Sequence, residues 1–103
     1  MEETQDLTGI KDMYDVEILV GVELVNKRTR YDTKNGISIN EPAYFDMINH
    51  HVIAEAGWLK EDDLRNRLER LSNSGYLCHH KTKENSEESW FITRKGLGVI
   101  KYG

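Results

Sequence analysis

The sequence predicts an α+β domain in which three helices come before a small antiparallel β ribbon, and three stretches carry that prediction. Leu64, Leu68 and Leu71 are spaced by four and three, which stacks them on one face of a helix. Asn73 and Gly75 then supply a stop, since both tolerate the left-handed conformation that ends helices. Upstream, Phe45, Ile48, Val52 and Ala56 repeat the helical spacing behind Asn40-Glu41-Pro42, where proline suits a first turn, and Gly57 closes the segment. Downstream, residues 76–81 and 89–93 are rich in aromatic and β-favouring side chains and flank a polar loop at 82–88, too long for a tight hairpin turn.

Length and charge bound the rest. A chain of 103 residues has room for one modest core, and 38% apolar with 31% charged residues is the balance of a soluble globular domain. No apolar run approaches the roughly 20 residues of a membrane span. The acidic start, Met-Glu-Glu-Thr-Gln-Asp, has the wrong sign for a secretion signal. The single cysteine, Cys78, cannot form an internal disulfide, so a cytoplasmic setting is expected. The net charge of −4 is unevenly spread: residues 1–23 hold seven acids and one lysine, a net of −6, which leaves the remainder at +2.

In order, residues 1–12 form an acidic tail and residues 13–103 the folded domain. Residues 13–27 read two ways. As a strand, Val16, Ile18, Val20, Val22 and Leu24 alternate onto one face. As a helix, which the length favours, Met13, Val16, Leu19, Val20 and Leu24 cover one face, while Ile18, Val22 and Val25 make a second apolar stripe nearly opposite. A small domain cannot readily cover both stripes, so Ile18, Val22 and Val25 are expected at a homodimer interface unless the tail folds over them. Lys27, Arg28 and Arg30 suit a helix C-terminus. Residues 31–36 read as a loop with an Asn35-Gly36 turn, residues 36–39 as a short strand, and the helix behind Pro42 as near 15 residues. The third helix lies within residues 58–73, with Glu61, Asp62 and Asp63 in its first turn, where the helix dipole favours acids.

A leucine-faced helix closed by Ser-Gly-Tyr-Leu and followed by a polar hairpin resembles the recognition helix and wing of winged helix-turn-helix proteins. The segment Trp90-Phe-Ile-Thr-Arg-Lys-Gly96 is similar to the aromatic-x-Leu-Thr-x-Lys-Gly signature that closes the wing in MarR- and PadR-type regulators. Those families run on into a long dimerisation helix, which is not expected here. The resemblance implies a winged-helix DNA-binding regulator whose third helix enters the major groove while the wing touches phosphate. Carried onto this chain, the helix positions are Lys60, Glu61, Asp62, Arg65, Asn66 and Arg70, and the wing positions are residues 79–83.

The residues themselves allow sharper and plainer readings. Lys60, Arg65, Asn66, Arg70, His79, His80, Lys81 and Lys83 are the candidates for nucleic-acid contact, helped by Lys27, Arg28 and Arg30. Against this, Glu61 and Asp63 precede Arg65 and Arg67 by four, the spacing of intrahelical ion pairs, and Arg70 is left the freest. The helix and its flanks balance four cations with four acids. Cys78, His79, His80, His50 and His51 show no metal-ligand spacing, and no metal or cofactor is expected. No phosphate loop, nucleophile elbow or acid pair marks an enzyme. Cys78 is expected half-buried, and Trp58, Tyr76, Trp90 and Phe91 in packing. The leading reading is a cytoplasmic, dimeric winged-helix transcriptional regulator that binds double-stranded DNA. The runner-up is a winged helix serving as a protein-interaction module, its acidic first turn and tail meeting a basic partner.

Overall fold

The computed structural model describes residues 12–82 and 87–102. The chain runs α1 (Met13–Asn26), β1 (Thr29–Asp32), β2 (Ile37–Asn40), β3 (Ala43–Tyr44), α2 (Phe45–Ala56), α3 (Glu61–Asn73), β4 (Leu77–Lys81), β5 (Glu88–Ile92) and α4 (Arg94–Tyr102). Among the described residues β1 and β2 pair only with each other as an antiparallel hairpin, and the second sheet has the order β3-β5-β4, antiparallel throughout. Helices α2 and α3, joined by Gly57 to Lys60, form the helix-turn-helix pair, and the β4–β5 hairpin follows as the wing. Among the described residues no helix is long and apolar enough to cross a membrane.

Of residues 13–27, Met13–Asn26 are helical, as the length suggested, with Lys27 as the C-cap. Asp12 starts the helix: its carboxylate accepts from the backbone N–H of Tyr14 at 2.8 Å and of Asp15 at 3.3 Å. The faces of this helix differ from those expected, although Leu19 of the expected core face is fully buried. Ile18 and Val22 are fully buried and Val25 nearly so, all in the chain's own core, whereas Met13 is exposed and Val16, Val20 and Leu24 are only half-covered. Ile18, Val22 and Val25 therefore do not present a free face to a second copy. The buried face also carries Asp15, Gly21 and Asn26, residues whose type counts against burial when read alone. Each has a structural use there. Gly21 lets α2 approach: a Cβ at that position would stand 2.9 Å from the His51 ring, which is held by its hydrogen bond to Glu17. Asn26 donates to the carbonyls of Glu41 (2.8 Å) and Trp90 (3.3 Å) and accepts from the N–H of Ile92 (2.7 Å), so its amide extends the two-residue pairing of β3 along β5.

Around α1 the core collects Leu19, Ile48, Val52, Leu64, Leu68, Leu71, Tyr76, Leu77, Trp90 and Val99. The leucine stripe of α3 is buried as its spacing required. Gly57 and Gly75 end α2 and α3 with positive φ. Other boundaries depart from expectation. Tyr31 and Asp32 are paired strand rather than loop, because β1 finds its partner across the turn at residues 33–36. Pro42 opens no helix. It precedes β3, whose pairing with Trp90 and Ser89 delays α2 to Phe45 and leaves it 12 residues long. Trp58 is not packed at all but 71% exposed.

A fourth helix, not assigned from sequence, follows the wing, and it explains the Thr-x-x-Gly spacing of residues 93–96. Thr93 Oγ1 donates to the carbonyl of Gly75 (2.6 Å) and accepts from the N–H of Gly96 (3.1 Å), capping α4 while binding it to the end of α3. A Cβ on Gly96 would collide with the Tyr76 carbonyl, so only glycine allows this close approach.

Two substitutions measure this packing. Leu68→Ala should cost about 2–5 kcal/mol, the range for emptying a fully buried leucine site, and a melting temperature within a few degrees of the parent would show that α3 is not packed as described. Asn26→Ala should cost about 2–4 kcal/mol, since each buried group left without its partner costs roughly 1–3 kcal/mol; urea titration with an unchanged m-value reads it directly.

Candidate nucleic-acid interface

Helix α3 turns Leu64, Leu68 and Leu71 inward, which leaves Asp62, Arg65, Asn66, Glu69 and Asn73 exposed. The alternation along the wing strands does the rest. His79 and Lys81 on β4 share a sheet face with Glu88 and Trp90 on β5, while Cys78, His80 and Phe91 lie on the other. Between α3 and the wing runs a groove of about 430 Å³, lined by Arg65, Asn66, Glu69, Ser72, Asn73, His79, Glu88 and Trp90. Trp90 forms its floor, with the His79 ring stacked on the indole at 5.0 Å between centroids.

Glu88 ties the two walls together. Arg65 Nη1 donates to Glu88 Oε2 at 2.9 Å, and His79 Nε2 lies 3.1 Å from Glu88 Oε1. The Arg65 guanidinium also sits 4.5 Å from the centroid of the Phe45 ring. The Arg65 hydrogen bond is the main reason the Glu88 carboxyl is held below its ordinary pKa, with the charge of Arg65 and the contact to His79 adding to it against partial burial.

The other two arginines of α3 face α1. Arg67 Nη1 donates to Asp12 Oδ1 and Asp15 Oδ1, both at 2.9 Å, and Arg70 Nη2 donates to Asp15 Oδ2 at 2.6 Å. Burial alone would raise the pKa of Asp12, but the N–H groups of Asp15 and Tyr14 and the Arg67 guanidinium together hold it low. Burial likewise works against the charge on Arg67, yet Asp15 and Asp12 outweigh it and raise its pKa. The intrahelical partners expected from the four-residue spacing thus lose to acids from other elements: Glu61 yields Arg65 to Glu88 of the wing, and Asp63 yields Arg67 to Asp12 and to Asp15, which is buried and must be compensated.

The structure brings Arg65, Asn66 and His79 into one groove. Lys60 stands exposed at the N-cap of α3, with Lys81 at the end of β4 and His80 on the outer sheet face. Arg70, expected to be the freest cation, is paired on the α1 side of the helix. Lys83 lies outside the described residues. Cys78 is exposed rather than half-buried. Sequence reasoning missed Glu88 and Asp15; the only signal was that α3 offers three arginines at positions that cannot all reach its own acids. Among the described residues no group of three or more His, Cys, Asp or Glu side chains could hold a metal ion.

Comparison with solved structures bears on the fold. The chain is similar to a crystal structure of a PadR family transcription regulator from hypervirulent Clostridium difficile R20291, with a TM-score of 0.64 and 16% identity over 88% of this chain and 82% of that one. At that identity the likeness shows architecture: the chain has the winged-helix fold. No family model and no curated protein matches it.

The Glu88 bridge sets an acid dependence. A carboxylate whose pKa is lowered by folding contributes stability that is complete above its unfolded pKa, about 4.3, and is lost as pH falls through the folded value. Thermal melts of the parent and Glu88→Gln should therefore differ most near neutral pH and converge as pH drops below about 4. A gap that stays constant down to pH 3 would show that the bridge makes no such contribution.

Proposed function

We propose that this protein is a transcriptional regulator that binds double-stranded DNA through α3 and the β4–β5 wing. The observation that carries the reading is the groove that places Arg65 and Asn66 of the third helix against His79 of the wing within a winged-helix fold. In this arrangement a helix enters the major groove and the wing lies on the backbone. Lys60, Arg65, His79, His80, Lys81 and Lys83 hold phosphates, and Asn66, exposed on the outer face of α3, is the candidate for an adenine edge. Arg70 has a different role, holding α3 to Asp15 of α1. The protein works in the cytoplasm as a homodimer, and the α1 stripe of Met13, Val16, Val20 and Leu24 supplies an apolar surface for the second copy. It carries out no catalysis.

One observation favours a protein-interaction module instead. The arginines of α3 are all engaged by carboxylates, and Glu61, Asp62 and Asp63 stand exposed in its first turn, where phosphates would be repelled.

Fluorescence anisotropy against random-sequence duplexes at about 50 mM salt separates the two. A DNA-binding regulator should bind in the range of about 1–100 µM or tighter, with a log–log salt slope of about −3 to −5 per protomer, because each phosphate neutralised contributes roughly −0.9. Replacing Lys81 and Lys83 by alanine should weaken binding to all sequences alike, whereas Asn66→Ala should change sequence preference. No binding by folded protein at about 100 µM would favour the interaction module.

A further inference from the structure

The cations of α3 are committed to acids, and the next concentration of positive charge lies elsewhere. Lys27, Arg28, Arg30 and Lys34 fall within eight residues, with Asp32 the one acid among them and Glu41 the next along the chain. These residues belong to the β1–β2 hairpin and the segment that leads into it. The hairpin pairs from Thr29↔Asn40 to Asp32↔Ile37 and turns at residues 33–36, which are exposed, as are Lys27 and Arg28 at its base. Neither of its strands joins the three-stranded sheet. Four paired residues at about 3.4 Å each carry the turn roughly 13 Å from the base.

The position of the base gives the hairpin a use. Asn40, the last residue of β2, lines a groove of about 410 Å³ together with His80, Thr82 and Glu87 of the wing. The backbone N–H of Glu41 donates to the carbonyl of Arg28 at 3.0 Å, which places Arg28 at the same end. The cationic hairpin thus springs from beside the wing.

We infer that the β1–β2 hairpin is a second nucleic-acid arm, whose cations grip the phosphate backbone of the duplex that α3 and the wing engage. The inference rests on the DNA-binding reading. It supplies what α3 lacks: a local excess of positive charge that carries no sequence information and raises affinity for any duplex. A two-stranded ribbon is also narrow enough to follow a groove of B-DNA.

The test is a salt titration of binding to random-sequence duplexes with the full chain. Changing Lys27, Arg28, Arg30 and Lys34 together to alanine should make the log–log slope shallower by about 2–4 and weaken binding at least about tenfold at 50 mM salt, while leaving sequence preference as it was. The charge-conserving set Lys27→Arg, Arg28→Lys, Arg30→Lys and Lys34→Arg should keep the parent's slope. If the alanine set perturbs folding, Lys34→Glu at the exposed turn reads the same effect without altering either strand, and should flatten the slope by about 1 or more. Parent-like slope and affinity in the folded alanine variant or in Lys34→Glu would overturn the arm and leave the DNA-binding reading standing. A folded parent that binds no duplex would overturn both.

Discussion

One side-chain amide holds the domain in register. Asn26 is buried at the end of α1, where an unpaired polar group would be costly, and every bond it makes goes to backbone: two carbonyls and one N–H on either side of the gap where β3 stops short. Because β3 has only two residues, the sheet would lose its grip on β5 just there. Asn26 acts in place of the missing strand residue. It fixes the end of α1 against the sheet, sets where the chain leaves for the β1–β2 hairpin, and so determines how that hairpin stands beside the wing.

Charge compensation is the second organising force. Burying Asp15 in the face of α1 requires cations, and α3 supplies them from Arg67 and Arg70, docking itself onto α1 as it does so. On the other side of α3, Glu88 does the same between helix and wing, though at the surface, where such a pair contributes modestly to stability. Its importance is geometric. It sets the width of the groove and the direction of Arg65, with Phe45 and Trp90 as flat supports on either side. Any phosphate that reached Arg65 would compete with Glu88 for it, which favours ligands that bring more than one contact.

The order of helices, the buried leucines and the wing strands were legible because each rests on a local periodicity that packing did not override. The faces of α1 were not, and the reason is chemical. Two apolar stripes competed, and the true core face was marked by Asp15, Gly21 and Asn26, residues that count against burial unless their partners are known. Those partners lie 15 to 66 positions away in sequence, beyond the reach of a helical periodicity. The same distance hid Glu88 from Arg65, 23 residues apart, so the candidate site was visible as a set of cations but not as a bridged groove. The hairpin at residues 29–40 had announced its Asn-Gly turn and its second strand but not β1, and α4 only the glycine that lets it pack.

The strand order β3-β5-β4 puts β4 at an edge of the sheet. Along that edge β4 turns backbone N–H and C=O groups away from β5, the template on which sheets of different molecules join edge to edge and precipitate. Four of its five residues, Cys78, His79, His80 and Lys81, are exposed, and none is a large apolar side chain that would reward such joining. The charged ammonium of Lys81 actively discourages it. If Lys81 holds phosphate as proposed, the same side chain also guards this edge, so solubility and ligand binding constrain one position.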